Sequence, residues 1–130
     1  MDGLHLTADL HRCRCDAPLM CQPDALRGRC VDAVQAVGLQ PVGELFHRFQ
    51  SAEPVAAAPG GVTGVVLLAE SHLAVHTWPE QGAVTVDVYV CNFGADNTAR
   101  ADALMDRLVT AFAPESLHQH RLRRGLPSAG

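Results

Sequence analysis

The sequence predicts an α+β fold in which two helices pack on one face of an antiparallel β-sheet, as a two-layer sandwich. Segments with strand character and segments with helical periodicity follow one another in the order β-α-β-β-β-β-α-β. The strands in the middle of the chain are joined by short turns, which favours antiparallel pairing. The second face of this sheet needs a cover if it is apolar. A second copy of the chain, packed sheet to sheet, would supply one.

The first half of the chain predicts a strand, a helix and another strand. Leu4–Leu10 alternates apolar with polar residues, as a half-buried strand does. Arg12–Gln22 is expected to be a loop. A helix then opens at Pro23 and ends at Gly38, with its apolar residues on one stripe. Pro41–Gln50 is the second predicted strand.

The second half predicts four strands and one helix. The segment Ser51–Gly61, rich in Ala, Pro and Gly, is expected to be a loop, and Gly125–Gly130 a frayed tail. Asp96 or Asn97 is expected to cap a helix that Pro114 ends. The predicted strands are a continuous and fully buried one at Val62–Ala69, then His72–Trp78, an alternating one at Ala83–Cys91, and Leu117–Arg123.

Length and composition predict one domain over residues 1–130 with a real hydrophobic core, since 48% of the residues are hydrophobic. The formal net charge of −4 argues against nucleic acid or an anionic membrane as a partner. We expect no signal peptide, and no apolar run in the sequence is long enough to span a membrane. The expected compartment is the cytoplasm.

Five cysteines are an odd number, and in a cytoplasmic chain they do not predict a disulfide framework. Cys13, Cys15 and Cys21 lack the paired C-x-x-C spacing of common zinc modules, and no histidine is placed to complete a site. We therefore predict no metal. The pattern assigns no role to these three residues or to Cys30.

The most informative segment is Glu70–Glu80, with the sequence ESHLAVHTWPE. The Ser71 hydroxyl could attack the carbonyl of Glu70, forming an ester in place of the peptide bond. Elimination and hydrolysis would then leave a pyruvoyl group at position 71. His72 and His76 share one face of a strand, and an imidazole is a suitable base at neutral pH. The alternative is that Ser71 is an ordinary turn residue and the two histidines are half-buried strand residues.

This segment closely resembles the processing site of the bacterial S-adenosylmethionine decarboxylase proenzymes. Further resemblance to that family occurs at Phe46–Phe49 (FHRF), Gly61–Val66 (GVTGVV) and Val86–Cys91 (VDVYVC). The resemblance covers about residues 3–124. It implies the same sheet with helices on one face, and a homodimer formed sheet to sheet.

The resemblance also implies a reaction. Cleavage between Glu70 and Ser71 would give a β chain of residues 1–70 and an α chain of residues 71–130. Ser71 would become the pyruvoyl cofactor, which forms a Schiff base with the substrate amine. Decarboxylated S-adenosylmethionine, an aminopropyl donor for spermidine and other polyamines, would be the product.

The same resemblance also implies roles for individual residues. Cys91 matches the general acid that returns a proton to the substrate, and His76 matches the histidine that assists processing. Thr63 stands where the family has a serine that supports processing. Phe49 matches an aromatic that stacks on adenine, and Glu80 matches a carboxylate that holds the ribose hydroxyls.

The chain also departs from the family pattern. Gln81–Ala83 replaces the usual aromatic after Glu80, and Asn92–Asn97 follows the cysteine where a glycine is usual. These departures leave the substrate pocket open to a different substrate. The alternative is a pyruvoyl-dependent decarboxylase of a basic amino acid, ornithine or arginine. A further alternative is an unprocessed binding or regulatory homologue without catalysis.

Overall fold

Six antiparallel strands form a single sheet in the order β2-β3-β4-β5-β1-β6. The computed structural model describes residues 2–50 and 60–125, so the predicted loop over residues 51–59 and the tail over residues 126–130 lie outside the described part. The strands are β1 Gly3–Cys13, β2 Pro41–Arg48, β3 Val62–Leu68, β4 Ser71–Trp78, β5 Ala83–Cys91 and β6 Pro114–Arg124.

Three helices pack on the sheet, where the sequence predicted two. They are α1 Ala17–Cys21, α2 Pro23–Ala36 and α3 Thr98–Phe112. The helix α1 lies inside the segment predicted to be a loop. It has only five residues, too few for a hydrophobic period to show in the sequence. Its buried residues Leu19, Met20 and Cys21 pack against the rest of the molecule, so tertiary contacts stabilise it.

The core lies between the sheet and the helices. Alternate residues of β1 and β5 point into it, as the alternating pattern predicted. The helix α3 contributes Leu104, Leu108 and Phe112, each fully buried. We call the opposite side of the sheet the free face. By the strand registers and alternation, it carries all seven histidines of the chain, namely His5, His11, His47, His72, His76, His118 and His120.

The prediction for Val62–Ala69 was wrong in two respects. The strand ends at Leu68, and burial alternates along it instead of being continuous. Thr63 is exposed, and Leu67 keeps 49% of its surface accessible. The reason is that the helices cover only one face of the sheet, so the apolar residues of the free face are not covered within one chain.

Several strand boundaries also differ from the prediction, and β1 continues to Cys13, into the segment predicted to be a loop. Strand β2 ends at Arg48, so Phe49 follows the strand, and β6 already begins at Pro114. The predicted ends of α2 and α3 are confirmed, because Gly38 follows α2 with a φ of +87° and α3 ends two residues before Pro114.

Candidate active site

The predicted cleavage site is a tight turn at one end of the sheet. Ala69 and Glu70 alone connect β3 to β4, and Leu68 pairs with Ser71 across the turn. Glu70 has a φ of +55°, in the left-handed region that residues with a Cβ rarely adopt. This conformation costs about 1 kcal/mol or more. Glu70 is exposed, and the backbone that precedes Ser71 carries local strain.

Ser71 and Cys91 lie side by side at this end. The Ser71 hydroxyl oxygen accepts a hydrogen bond from the backbone N–H of Cys91, at 3.1 Å. Both residues are half-buried, and the side chain of Cys91 is on the free face. The structure thus brings together the predicted pyruvoyl precursor and the predicted proton donor. We call Glu70, Ser71 and Cys91 the cleavage group.

Thr63 and His76 form a second pair. They are directly opposite each other on β3 and β4, and Thr63 Oγ1 is 3.2 Å from His76 Nδ1. The His76 ring also stacks on Trp78, with ring centroids 6.1 Å apart. A hydroxyl at position 63 can therefore orient the imidazole, the support that the resemblance assigned to it.

Phe49 and Glu80 lie at the same end of the sheet as Trp78. The N–H of Phe49 donates to the carbonyl of Gly61 at 2.9 Å, and its ring lies over that glycine. Glu80 is in the 3-10 turn Pro79–Gln81 that follows β4. We call Thr63, His76, Phe49 and Glu80 the histidine group.

The two groups are separated within one chain. Ser71 begins β4, and His76 lies five residues further along the same strand. At a rise of roughly 3.4 Å per residue, this places them about 17 Å apart. His76 of one chain therefore does not reach the Ser71 of that chain. The nearest histidine in sequence is His72, whose ring stacks on Tyr89 with centroids 5.6 Å apart.

Residues that sequence reasoning gave no role surround the cleavage group. His5 lies edge-on to Tyr89 with ring centroids 6.1 Å apart, and its Nε2 is 3.2 Å from Asp87 Oδ1. Tyr89 lies over Gly3, where a Cβ would be 2.6 Å from the tyrosine hydroxyl. The alternation of β1 and β5 already placed these polar residues on one face, but which of them are neighbours depends on the strand register.

The other cysteines do not resemble a metal site. Burial, and secondarily the neighbouring Cys15, raise the pKa of the Cys13 thiol to about 11. Burial raises the pKa of Cys30 to about 12. Such thiols are protonated at neutral pH. Within residues 2–50 and 60–125 we find no cluster of three His, Cys, Asp or Glu side chains placed to hold a metal ion.

Among the helices that the structure describes, none combines the length and apolar character needed to cross a membrane.

Comparison with known proteins identifies the class of this chain. A family model described as "S-adenosylmethionine decarboxylase" matches residues 4–125. The S-adenosylmethionine decarboxylase proenzyme of Aquifex aeolicus is 36% identical over 124 residues, 95% of this chain and 82% of the relative. That of Archaeoglobus fulgidus is 32% identical, covering 95% of this chain and 97% of the relative.

A solved structure agrees with the sequence relatives. The crystal structure of the adenosylmethionine decarboxylase from Aquifex aeolicus superposes with a TM-score of 0.80 at 34% identity, covering 98% of this chain and 94% of that one. The class is therefore that of the adenosylmethionine decarboxylases, which are carboxy-lyases. More particularly, this chain belongs to the family of prokaryotic S-adenosylmethionine decarboxylase proenzymes.

Proposed function

We propose that this chain cuts itself between Glu70 and Ser71 and that the processed enzyme decarboxylates S-adenosylmethionine. The product would serve as the aminopropyl donor in the biosynthesis of spermidine. The observation that carries the proposal is the strained Glu70–Ser71 turn, with the Ser71 hydroxyl held against Cys91, in a chain of this family.

The cleavage step needs only groups of the chain and water. The Ser71 oxygen forms a bond to the carbonyl carbon of Glu70, the C–N bond breaks, and the freed amine of residue 71 takes a proton. A base then removes the Cα proton of residue 71. The Cβ–O bond breaks, and residues 1–70 leave with Glu70 as a free carboxylate. Hydrolysis of the remaining dehydroalanine, with loss of ammonia, leaves the pyruvoyl group at the start of residues 71–130.

The surroundings of Ser71 suit a carbonyl cofactor. The N–H of Cys91 donates to the Ser71 hydroxyl oxygen at 3.1 Å, which places Cys91 beside the carbon atoms that would form the cofactor. The pyruvoyl group would act as the electron sink for loss of the substrate carboxyl group. The role of Cys91 is to give a proton to the substrate carbon, since its side chain is on the free face beside residue 71.

The separation of the two groups supports a homodimer formed through the free face. A two-fold interface places the same surface patch of both copies against each other. The partner's histidine group would then meet the cleavage group of the first chain. The partner's His76 would be the processing base, its Phe49 would stack on adenine, and its Glu80 would hold the ribose hydroxyls. Leucines that stay exposed on the free face favour such a contact, namely Leu45 (70% exposed), Leu67 (49%) and Leu122 (55%).

The cytoplasm is the compartment that we propose. All five cysteines are free thiols, as expected in a reducing environment.

Mass spectrometry of the denatured protein tests the self-cleavage. We expect two fragments of 70 and 60 residues (130 − 70 = 60), the larger one ending at Glu70. The Ser71→Ala chain should stay whole. A wild-type chain that remains uncut on incubation would contradict the proposal. It would favour the alternative that the chain is an unprocessed binding or regulatory homologue.

Release of CO₂ from three substrates tests the specificity. We expect it from S-adenosylmethionine and not from ornithine or arginine, each supplied alone. Release only from an amino acid would assign the alternative substrate class while leaving the self-cleavage intact.

A further inference from the structure

We propose that Asn97 is a positioning residue that holds Cys91 in place after the chain has been cut. The inference rests on the proposed function, because it concerns Cys91 as the proton donor of the decarboxylation. It follows from the hydrogen bonds of the loop between β5 and α3, the loop in which this chain departs from the usual family sequence.

Cys91 is held through the peptide groups on both of its sides. On one side, its N–H donates to the Ser71 hydroxyl at 3.1 Å. On the other side, its carbonyl accepts a hydrogen bond from Asn97 Nδ2 at 2.9 Å. The N–H of that same peptide group, which belongs to Asn92, donates to the carbonyl of Asp2 at 2.7 Å. Both polar groups of the 91–92 peptide are thus fixed.

Cleavage removes one of these restraints. The Ser71 oxygen leaves with Glu70 when the Cβ–O bond breaks, so the hydroxyl that accepts from Cys91 in the uncut chain no longer exists. The bonds from Asn97 and to Asp2 do not involve residue 71 and survive the reaction. Cys91 therefore depends more on Asn97 in the processed enzyme than in the precursor.

The side chain of Asn97 is committed to this contact instead of to its helix. Asn97 occupies the N-cap position of α3, where an asparagine side chain normally accepts a hydrogen bond from the helix. It makes no such bond here, and Asp96 accepts from the N–H of Thr98 at 2.9 Å. Asn97 Oδ1 instead accepts from Arg100 at 2.9 Å, which leaves Nδ2 directed at Cys91.

The loop itself is closed by a separate side chain. Asn92 Oδ1 accepts from the N–H of Asn97 at 2.8 Å, and Asn92 Nδ2 donates to the Thr98 hydroxyl at 3.2 Å. An aspartate at position 92 can still accept the hydrogen bond from the Asn97 N–H, and its second oxygen can accept a hydrogen bond from the Thr98 hydroxyl. Asn92→Asp is therefore a matched control. It makes the same change of side chain and charge as Asn97→Asp in the same loop, but leaves the bond to the Cys91 carbonyl intact.

The test compares Asn97→Asp with Asn92→Asp and the wild type. Asn97→Asp replaces the donor to the Cys91 carbonyl by a carboxylate oxygen, which repels it. We expect self-cleavage within about threefold of the wild-type rate, and a kcat reduced about tenfold or more with KM within about twofold, because misplacing a reacting group slows the chemistry. Asn92→Asp should keep kcat within about twofold.

Two further readouts separate positioning from a general loss of structure. An aspartate at the N-cap of α3 suits the helix and offsets the lost hydrogen bond, so the Tm of Asn97→Asp should stay close to that of the wild type. Protonation of the introduced carboxyl restores a donor. The ratio of variant to wild-type kcat should therefore rise as the pH falls toward about 4, where aspartate takes up a proton.

Three results would overturn the inference. They are an unchanged kcat in Asn97→Asp, an equal loss of kcat in both variants, and a loss of kcat that follows a fall in Tm with no pH dependence. If the wild-type chain is not cut at all, the proposed function fails and this inference fails with it. A normal wild type beside an unaffected Asn97→Asp contradicts the inference alone.

Discussion

At the scale of single residues, Glu70 shows how the chain prepares the bond that it is proposed to cut. A two-residue turn requires an unusual backbone at this position, and the sequence supplies a glutamate where a glycine would fit without strain. Ala69, the other turn residue, is not among the residues with positive φ. The strain is therefore confined to the residue whose carbonyl Ser71 would attack.

Replacement of Glu70 by glycine in the uncut Ser71→Ala chain measures this strain. We expect the free energy of unfolding to rise by about 0.5–1 kcal/mol, because the relief of strain exceeds the extra backbone entropy of glycine. Urea denaturation of the two chains measures the difference. Ala69→Gly in the same background should instead lower stability by about 0.5–1 kcal/mol. Equal effects of both substitutions would show that the conformation of Glu70 is not strained.

Cys91→Ala separates the backbone role of Cys91 from the role of its thiol. The Ser71 hydroxyl is bonded to the N–H of residue 91, which alanine keeps. We expect the variant to cut itself normally and to lose about 10²–10⁴-fold in kcat, the usual contribution of a general acid. Intact mass and CO₂ release provide the two measurements. Loss of cleavage would assign the thiol to processing instead.

At the scale of elements, the buried Thr77 ties two strands to the short helix α1. Its hydroxyl accepts from the N–H of Val62 at 2.8 Å and donates to the carbonyl of Met20 at 2.7 Å. Thr77 is fully buried, so neither backbone group can turn to water instead. This one hydroxyl helps to define the position of the helix that the sequence did not predict.

Thr77→Val should therefore destabilise the protein by about 2–4 kcal/mol, since it leaves a buried donor and a buried acceptor without partners. Thr77→Ser keeps the hydroxyl and should cost only about 1 kcal/mol for the lost methyl group. Thermal or urea unfolding measures both. If valine is tolerated as well as serine, the two hydrogen bonds contribute nothing to stability.

Glu115 joins the end of β1 to the start of β6. Its lowered pKa predicts that the stability of the protein depends on pH. Its carboxylate pairs with Arg14 and Arg12, and the hydrogen bond from Arg14 is the main cause that lowers its pKa below the usual 4.5. A lowered pKa means that the stabilisation is present above pH 4.5 and is lost as the pH falls through the folded-state value.

Glu115→Gln should accordingly lower the Tm slightly at pH 7, and the difference from the wild type should disappear in more acidic solution. Because the pair is exposed, high salt should also reduce the difference at pH 7. A Tm difference that stays constant between pH 7 and pH 3 would show that charge is not its cause.

At the scale of the whole molecule, the distance between Ser71 and His76 is the reason that we propose a site shared by two chains. A distance of about 17 Å along β4 is far beyond the reach of a side chain. Thr63, His76 and Cys91 are on the free face, and Ser71 begins β4 next to Cys91, so two copies packed across that face can bring the two groups together. Processing and catalysis would then both depend on the dimer.

Mixing two inactive variants tests this arrangement. Ser71→Ala chains cannot be cut, and His76→Ala chains alone should be cut slowly. When equal amounts are unfolded and refolded together, about half of the His76→Ala chains should meet a partner with an intact His76, as random pairing into two-fold dimers gives. We expect that fraction to be cut, as measured by intact mass. A mixture that is cut no faster than His76→Ala alone would place the base in the same chain.

The sequence by itself determined the order of the strands along the chain, the two longer helices and the core-facing residues of β1, β5 and those helices. These features depend on local periodicity, which the chain displays directly. It also pointed to Ser71, His76 and Cys91, because the resemblance lies in the segments that contain them. The distance between Ser71 and His76 could also be calculated from the sequence, since five residues of one strand have a fixed length.

Only the tertiary structure decided which of these residues meet. The contact of Ser71 with Cys91 depends on the register of β4 against β5, and the contact of Asn97 with Cys91 depends on how a loop folds back. The helix α1 forms because its neighbours bury it. Such contacts join residues distant in sequence, and no local pattern encodes them. The physical reason is that pairing and packing are selected by the free energy of the whole fold.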